Sequence, residues 1–153
     1  MLKQKPWQRL IIAIALLAFV QIACGQQYTQ VRQNGYSMMP NFTDGDVFKI
    51  DEASLADLKR GDIILVENNG KLLIKRLIGL PNESVSIHDG KVFINGSALD
   101  EPYEVVPPPY RMAELILGDD AYFVLGDNRA DSSDSHQWGP VKGSDIKGKA
   151  IPE

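Results

Sequence analysis

Two polar side chains in this chain stand where their surroundings could make them reactive. Lys75 lies in the apolar run KLLIKRLIG (71–79), after Leu72, Leu73 and Ile74 and before Leu77 and Ile78. Burial disfavours the charged form of an amine, so a lysine in that setting becomes available as a neutral general base near neutral pH. On a strand, Lys75 and Arg76 point to opposite faces, and one of them must turn toward whichever side is buried. The competing reading is an outward lysine on an edge strand, where such charges discourage pairing with other chains. Ser37, in NGYSMMPNFTDGD, is the matching nucleophile. Gly35 and Pro40 bracket it with a rigid, unusual backbone path, and Met38 and Met39 offer adaptable apolar surface. Taken alone, Ser37 reads first as a plain loop serine in a turn-rich segment. A third segment, GDNRADSSDSHQWG (126–139), sets Asp, Asn and Ser closely enough to cap and brace its own turns.

Other chemistries are harder to assemble. The two imidazoles are His88, beside a turn dipeptide where an exposed ring is expected, and His136. With one cysteine and scattered carboxylates, they suggest no metal set, and no cofactor is expected. A Ser–His–Asp triad stays open, because triads are defined by geometry and not by order in the chain.

The elements that must position these residues are short and β-rich. DVFKI (46–50), DIILVE (62–67), KLLIKRLIG (71–79), SVSIHDGKVFING (84–96) and AYFVLG (121–126) are the strand candidates. Asn69-Gly70, Asp89-Gly90 and Asn95-Gly96 are tight-turn dipeptides. EASLADLK (52–59) and RMAELIL (111–117) are the candidate short helices, and Pro107, Pro108 and Pro109 mark a rigid extended loop. The expectation is one mostly β, antiparallel domain over residues 28–153.

Charge is unevenly placed. Residues 10–24, LIIAIALLAFVQIAC, carry no charge, and Lys3, Lys5 and Arg9 precede them with no acid. All 20 acidic residues lie beyond that run. An acidic domain of this kind lacks the basic footprint of a nucleic-acid-binding protein. From Trp7 to Tyr28 a helix would be about 33 Å long, enough for a bilayer core of about 30 Å, with an aromatic near each end. Three readings compete: an uncleaved signal anchor, a cleaved signal, and a lipoprotein signal with Cys24 as the acylated residue. All three send the rest of the chain across the membrane. The anchor reading makes residues 1–9 a cytoplasmic tip and residues 10–27 a single transmembrane helix.

In this order, the segments resemble the bacterial type I signal peptidases, membrane-anchored Ser–Lys proteases. Ser37-Met38-Met39-Pro40 resembles the nucleophile box, and Arg60-Gly61-Asp62-Ile63-Ile64 the short Gly-Asp strand box. Lys75-Arg76-Leu77-Ile78-Gly79-Leu80-Pro81 resembles the general-base box. Gly126-Asp127-Asn128-Arg129, then Ser132, Asp134 and Ser135, then Trp138-Gly139, resembles the last box. The resemblance implies that Ser37 attacks the scissile carbonyl while neutral Lys75 takes its proton. It further implies that Ser132 orients the Lys75 amine and that Asp134, with Asp127, Asn128 and Arg129, braces the loop. Met38 and Ile74 match positions that line small-residue pockets, which would give cleavage after Ala-x-Ala. The Ser37 backbone N–H would be one oxyanion donor, commonly worth about 3 kcal/mol. The implied partners are exported preproteins with signal peptides, membrane lipid and the secretion machinery.

Three positions depart from the family pattern. Gly35 stands where many members carry a hydroxyl as a second oxyanion donor, so a backbone group or water has to replace it. His136 stands where an arginine is common, so its hold on Asp134 would weaken once the ring loses its proton. Asn41 replaces a usual threonine, with little expected effect. The extra domain of some members must shrink here to a hairpin and loop over residues 82–120. Two rival readings are a self-cleaving Ser–Lys repressor, which would need a DNA-binding region, and a catalytically silent, lipid-anchored binding domain.

Overall fold

The computed structural model describes residues 30–52 and 55–153. The expected tip at 1–9 and anchor at 10–27, Cys24 included, lie outside the described residues. Among the described residues, no helix is long and apolar enough to cross a membrane.

Three Asx-Gly pairs set the local framework. Asn69-Gly70, Asp89-Gly90 and Asn95-Gly96 all adopt positive φ, as two-residue hairpin turns require. The first joins β3 (Ile63–Asn68) to β4 (Lys71–Gly79), with Asn68 opposite Lys71 and Ile64 opposite Lys75. The second joins β5 (Ser84–His88) to β6 (Lys91–Ile94), and the third joins β6 to β7 (Ser97–Ala98).

The strands form two antiparallel sheets. The larger has seven strands, in the order β1 (Gln30–Arg32), β2 (Val47–Asp51), β11 (Ile146–Pro152), β3, β4, β9 (Ala121–Leu125), β10 (Val141–Lys142). The smaller runs β7, β6, β5, β8 (Met112–Ile116). Pro107–Pro109 contribute no strand, although Val106 just before them makes an isolated parallel bridge to Asn128.

The larger sheet is covered on both faces. Ile64, Val66, Leu77 and Val124 pack into one cluster, while Leu65, Ile74, Phe48 and Met38 pack into another. Successive residues on a strand point to opposite faces, so Ile64, Leu65 and Val66 are all fully buried only because apolar partners lie on each side. A third cluster joins the sheets, with Phe123, Leu125 and Ile78 meeting Val85, Ile87, Val92 and Leu117.

Two helix expectations are corrected. Residues 112–116 form β8, which pairs with β5 through Ser84–Ile116, Val85–Leu115 and Ile87–Met112. Leu115 and Met112 pack against the inter-sheet cluster, and this tertiary burial outweighs the local helical preference. In 52–59 the described residues form one 3-10 turn, Leu55–Asp57, which delivers Leu58 to the core. The expectation also omitted β1, β7, β10 and β11. In β11 the Lys147-Gly148-Lys149 sequence hides the strand, and Gly148 sits at a bulge opposite β3.

Gly79 ends β4 against the second sheet. A Cβ there would lie 2.7 Å from both Leu117 and Val85 and 2.9 Å from Phe123. Gly79→Ala is therefore expected to cost about 1–3 kcal/mol through overpacking. Urea unfolding should show a lower midpoint at an unchanged m-value; an unshifted midpoint would mean that the sheets separate freely.

Candidate active site

Lys75 and Arg76 are both buried, at 2% and 6% exposure, because both faces of β4 are covered. Their polar ends are treated differently. The Arg76 guanidinium donates through Nε to Asp127 Oδ1 at 2.7 Å and through Nη2 to Asp127 Oδ2 at 2.5 Å. Its remaining terminal nitrogen reaches the Gly61 carbonyl at 2.8 Å, and its plane lies 3.7 Å from the centre of the Tyr103 ring. Lys75 has no carboxylate at bonding distance. Its Nζ lies 3.0 Å from Ser132 Oγ, itself buried. Burial is the largest influence on the Lys75 amine and lowers its pKa from 10.5 to about 8, while the charges of Asp134 and Asp127 oppose the shift.

Ser37 lies in the turn that follows β1. Met39 N–H donates to the Tyr36 carbonyl, and Phe42 N–H donates to that of Met38. Met38 itself is fully buried among Phe48, Leu65 and Ile74, so it fixes the serine from below. The Ser37 carbonyl accepts from Asn128 N–H at 3.0 Å, and the Asn128 side chain donates to the Tyr36 carbonyl at 3.3 Å.

Gly126 ties the two halves together. A Cβ on it would fall 2.3 Å from the Ser37 carbonyl and 2.3 Å from Ser132 Oγ. Only a residue without a side chain can pass between them, with Ser37 on one flank and the partner of Lys75 on the other. Its own backbone is clamped: the N–H donates to Asp134 Oδ2 at 3.0 Å, and the carbonyl accepts from Arg129 Nε at 2.8 Å. Asp134, fully buried, also accepts the His136 backbone N–H and lies 2.6 Å from His136 Nδ1, capping the short helix α1 (Ser135–Trp138). On its outer side Arg129 pairs with Glu101 through both terminal nitrogens.

Ser37, Ile74 and Lys75 line one cleft of about 430 Å³, between residues 31–34, at the end of β1 and just beyond it, and residues 71–75 of β4. Three strands separate β1 from β4 in the sheet, so the sheet curls round until the two approach. β9 pairs with β4 only from Arg76 to Gly79, which leaves the backbone of Lys71–Lys75 as an open edge beside the cleft. His136 faces elsewhere, stacked on Tyr110 at 4.0 Å and lining a separate hollow with Arg129 and Ser132. His88 is on the β5–β6 hairpin, stacked on Phe93. Among the described residues, no group of three or more His, Cys, Asp or Glu could hold a metal ion.

Three contributing residues were not singled out as contributors by the sequence. Asn41 donates to Asp127 Oδ2 at 2.8 Å and to the Glu104 carbonyl at 2.7 Å, so it holds the carboxylate that holds Arg76. Glu101 neutralises Arg129. Gln33, 4% exposed, places its amide nitrogen 3.4 Å from Ser37 Oγ. Asn41 and Glu101 are defined by contacts to segments far along the chain, whereas Gln33 acts within its own turn.

The cleft thus sets a serine hydroxyl and a desolvated amine on one antiparallel sheet. Comparison with known proteins specifies it further. The family model for signal peptidase, peptidase S26, matches residues 4–152, and the chain belongs to that family. A probable signal peptidase I-2 from Synechocystis sp. is 40% identical over 125 residues, covering 75% of this chain and 57% of that protein. A signal peptidase I V from Bacillus subtilis is 30% identical over 155 residues and covers 90% of each. The crystal structure of a signal peptidase I from Enterococcus faecalis superposes with a TM-score of 0.52 at 34% identity, over 63% of this chain and 98% of the other. The chain thus spans just over half the length of the Synechocystis relative.

Two stability predictions follow from the charges. Asp127→Ala strands the Arg76 guanidinium in the interior and is expected to cost about 3–5 kcal/mol in chemical unfolding; a cost below about 1 kcal/mol would mean that water reaches Arg76. Lys75 binds its proton less tightly folded than unfolded, so the unfolded chain holds more protons between about pH 8 and 10.5. Its burial cost is therefore fully present below about pH 8 and is relieved as pH rises toward 10.5. Lys75→Met should raise stability at pH 7, with an advantage that narrows by about 2–3 kcal/mol on going to pH 10.5. A pH-independent advantage would show that the amine is not depressed.

Proposed function

We propose that the chain is a membrane-held serine endopeptidase that removes N-terminal signal peptides from exported preproteins, with Ser37 as nucleophile and Lys75 as general base. The observation that carries this reading is the Lys75 amine, desolvated and bonded to Ser132, in the same cleft as Ser37. A serine hydroxyl is a weak nucleophile until a neighbouring base takes its proton, and an amine that titrates near pH 8 is available to do so.

The residues divide the work as follows. Ser37 Oγ bonds to the scissile carbonyl carbon while its proton passes to Lys75 Nζ. The ammonium then protonates the departing amine, leaving an acyl-enzyme on Ser37. Water, deprotonated by Lys75, releases the acyl group. Ser132 orients the amine throughout, and Asp134, Asp127, Asn128 and Arg129 hold the loop that presents Ser132 and Gly126. The substrate lies as an added strand along the open edge of β4 at Lys71–Lys75, where main-chain hydrogen bonds give affinity without demanding a sequence. Ile74 narrows the cleft at the residue before the scissile bond, which favours small side chains of the Ala-x-Ala type. The uncharged stretch at 10–27 acts as the anchor, with the N-terminus cytoplasmic and the catalytic domain outside. Membrane lipid and exported preproteins are then its partners, and the secretion machinery is a natural neighbour.

The test is cleavage of a preprotein by the purified full chain, beside Ser37→Ala and Lys75→Ala. Both variants are expected to fold and to lose at least about 10³-fold in activity. Wild-type activity should rise as pH passes through about 8, where Lys75 loses its proton. Full activity in Lys75→Ala would overturn the dyad, and loss in His136→Ala without loss in Lys75→Ala would favour a triad.

A further inference from the structure

We propose that Gln33 is a catalytic residue, whose side-chain amide donates to the oxyanion that forms when Ser37 attacks the carbonyl. The inference rests on the peptidase reading above and extends it to a position on which that reading is silent.

An acyl transfer of this kind moves the carbonyl π pair onto oxygen as the Oγ–C bond forms. Donors already aimed at that oxygen are commonly worth about 10²–10³ in rate each. Gly35 has no side chain to offer, and its backbone N–H donates to Asp44 Oδ1 at 2.7 Å. The Gln33 amide lies on the same side of the nucleophile. It is 4% exposed, it lines the cleft with Ser37 and Lys75, and its Nε2 is 3.2 Å from the Gly35 carbonyl and 3.4 Å from Ser37 Oγ. A carbonyl can only accept, so the amide end facing Gly35 must be the NH₂ group and not the oxygen. One N–H is used to hold the amide to Gly35. The second points at the hydroxyl that becomes the nucleophile.

The backbone that carries the amide is fixed as well. The Gln33 backbone N–H donates to the Asp46 carbonyl at 2.8 Å, and its backbone carbonyl accepts from Gly45 N–H at 2.9 Å. A side-chain donor held by the Gly35 carbonyl on a fixed backbone costs little further ordering when charge develops, which is what makes preorganised groups effective. The 3.4 Å contact is long for a ground-state hydrogen bond. Such contacts commonly tighten only in the reacting complex. When Oγ bonds to carbon its proton has gone to Lys75, and the new oxyanion is attached to that same carbon. The free N–H of Gln33 then needs only a small shift, from the oxygen that has lost its charge demand to the one that has gained it. A merely structural glutamine would be satisfied by Gly35 and would have no reason to face the nucleophile.

The experiment compares the full chain with Gln33→Leu and Gln33→Glu on a preprotein substrate, measuring kcat, KM, pH profile and melting temperature. Leucine removes the donor, and glutamate keeps the size but cannot donate when ionised. Gln33→Leu is expected to lower kcat about 10²–10³-fold, with KM little changed and the acid limb of the profile where wild type has it. Gln33→Glu should lose at least as much, and its acid limb should move to higher pH because a carboxylate beside Lys75 favours the ammonium. A kcat within about threefold of wild type in either variant, measured at a pH where glutamate is ionised, would overturn the proposal. So would a change confined to KM and to the preferred residue before the scissile bond, since Gln33 would then be only a pocket wall. If Gln33→Leu melts too low to assay, the isosteric Gln33→Glu decides alone. Failure of folded wild type to cleave any preprotein would overturn the peptidase reading and this one with it; wild-type cleavage with unaffected variants removes only the role of Gln33.

Discussion

A lysine amine kept away from every free carboxylate in the interior of a sheet is the constraint on which the rest of the structure depends. Two buried acids, Asp134 and Asp127, act on Lys75 and would pull it toward the ammonium. Each is already engaged. Asp127 is taken by the Arg76 guanidinium and by Asn41, and Asp134 by the Gly126 N–H and by His136. Their charge reaches Lys75 only at a distance, so desolvation outweighs them. The braces of the loop and the tuning of the Lys75 amine are therefore the same interactions. Loosening either carboxylate would return a counter-ion to the amine and raise its proton affinity.

The second constraint is steric and belongs to Gly126. The strand β9 has to leave the sheet between Ser37, from the start of the domain, and the Ser132 hydroxyl six residues further on. There is no room for a methyl group. Because the peptide at Gly126 is held by a carboxylate on its N–H and a guanidinium on its carbonyl, its position is set by charged, buried partners. That rigidity passes to Ser37 through Asn128. Segments that lie about ninety residues apart in the chain thus share one reference point.

How much of this could be read from the sequence follows from how local each signal is. The hairpins were legible, since Asn69-Gly70 and Asp89-Gly90 need only their own backbone geometry to turn the chain. KLLIKRLIG was legible as a strand, but the burial of both Lys75 and Arg76 was not. It depends on Phe48, Met38 and Ala150 on one side and on Tyr122 and Val141 on the other. RMAELIL carries an apolar pattern that a helix and a half-buried strand satisfy equally, and the pairing partner at Ser84–Ile87 decided it. Asn41, where little effect on the chemistry is expected, completes the Asp127 cage with its amide. Its importance lies in a contact across 86 positions of sequence, which no spacing rule could reveal.

Lys75 and Arg76 also show that burial alone does not decide what a cation becomes. They are adjacent, comparably buried and on the same strand. Arg76 meets a carboxylate with two parallel hydrogen bonds, stays charged, and serves the architecture. Lys75 meets a hydroxyl. A carboxylate can only accept and would hold the amine as an ammonium, whereas a serine hydroxyl can accept from an ammonium or donate to the lone pair of an amine. Ser132 therefore remains a partner in both protonation states, without a change of geometry. The general-base role proposed for Lys75, in which the amine gains and loses a proton in each turnover, calls for such a partner, with the acids assigned to the arginine, the amides and the loop.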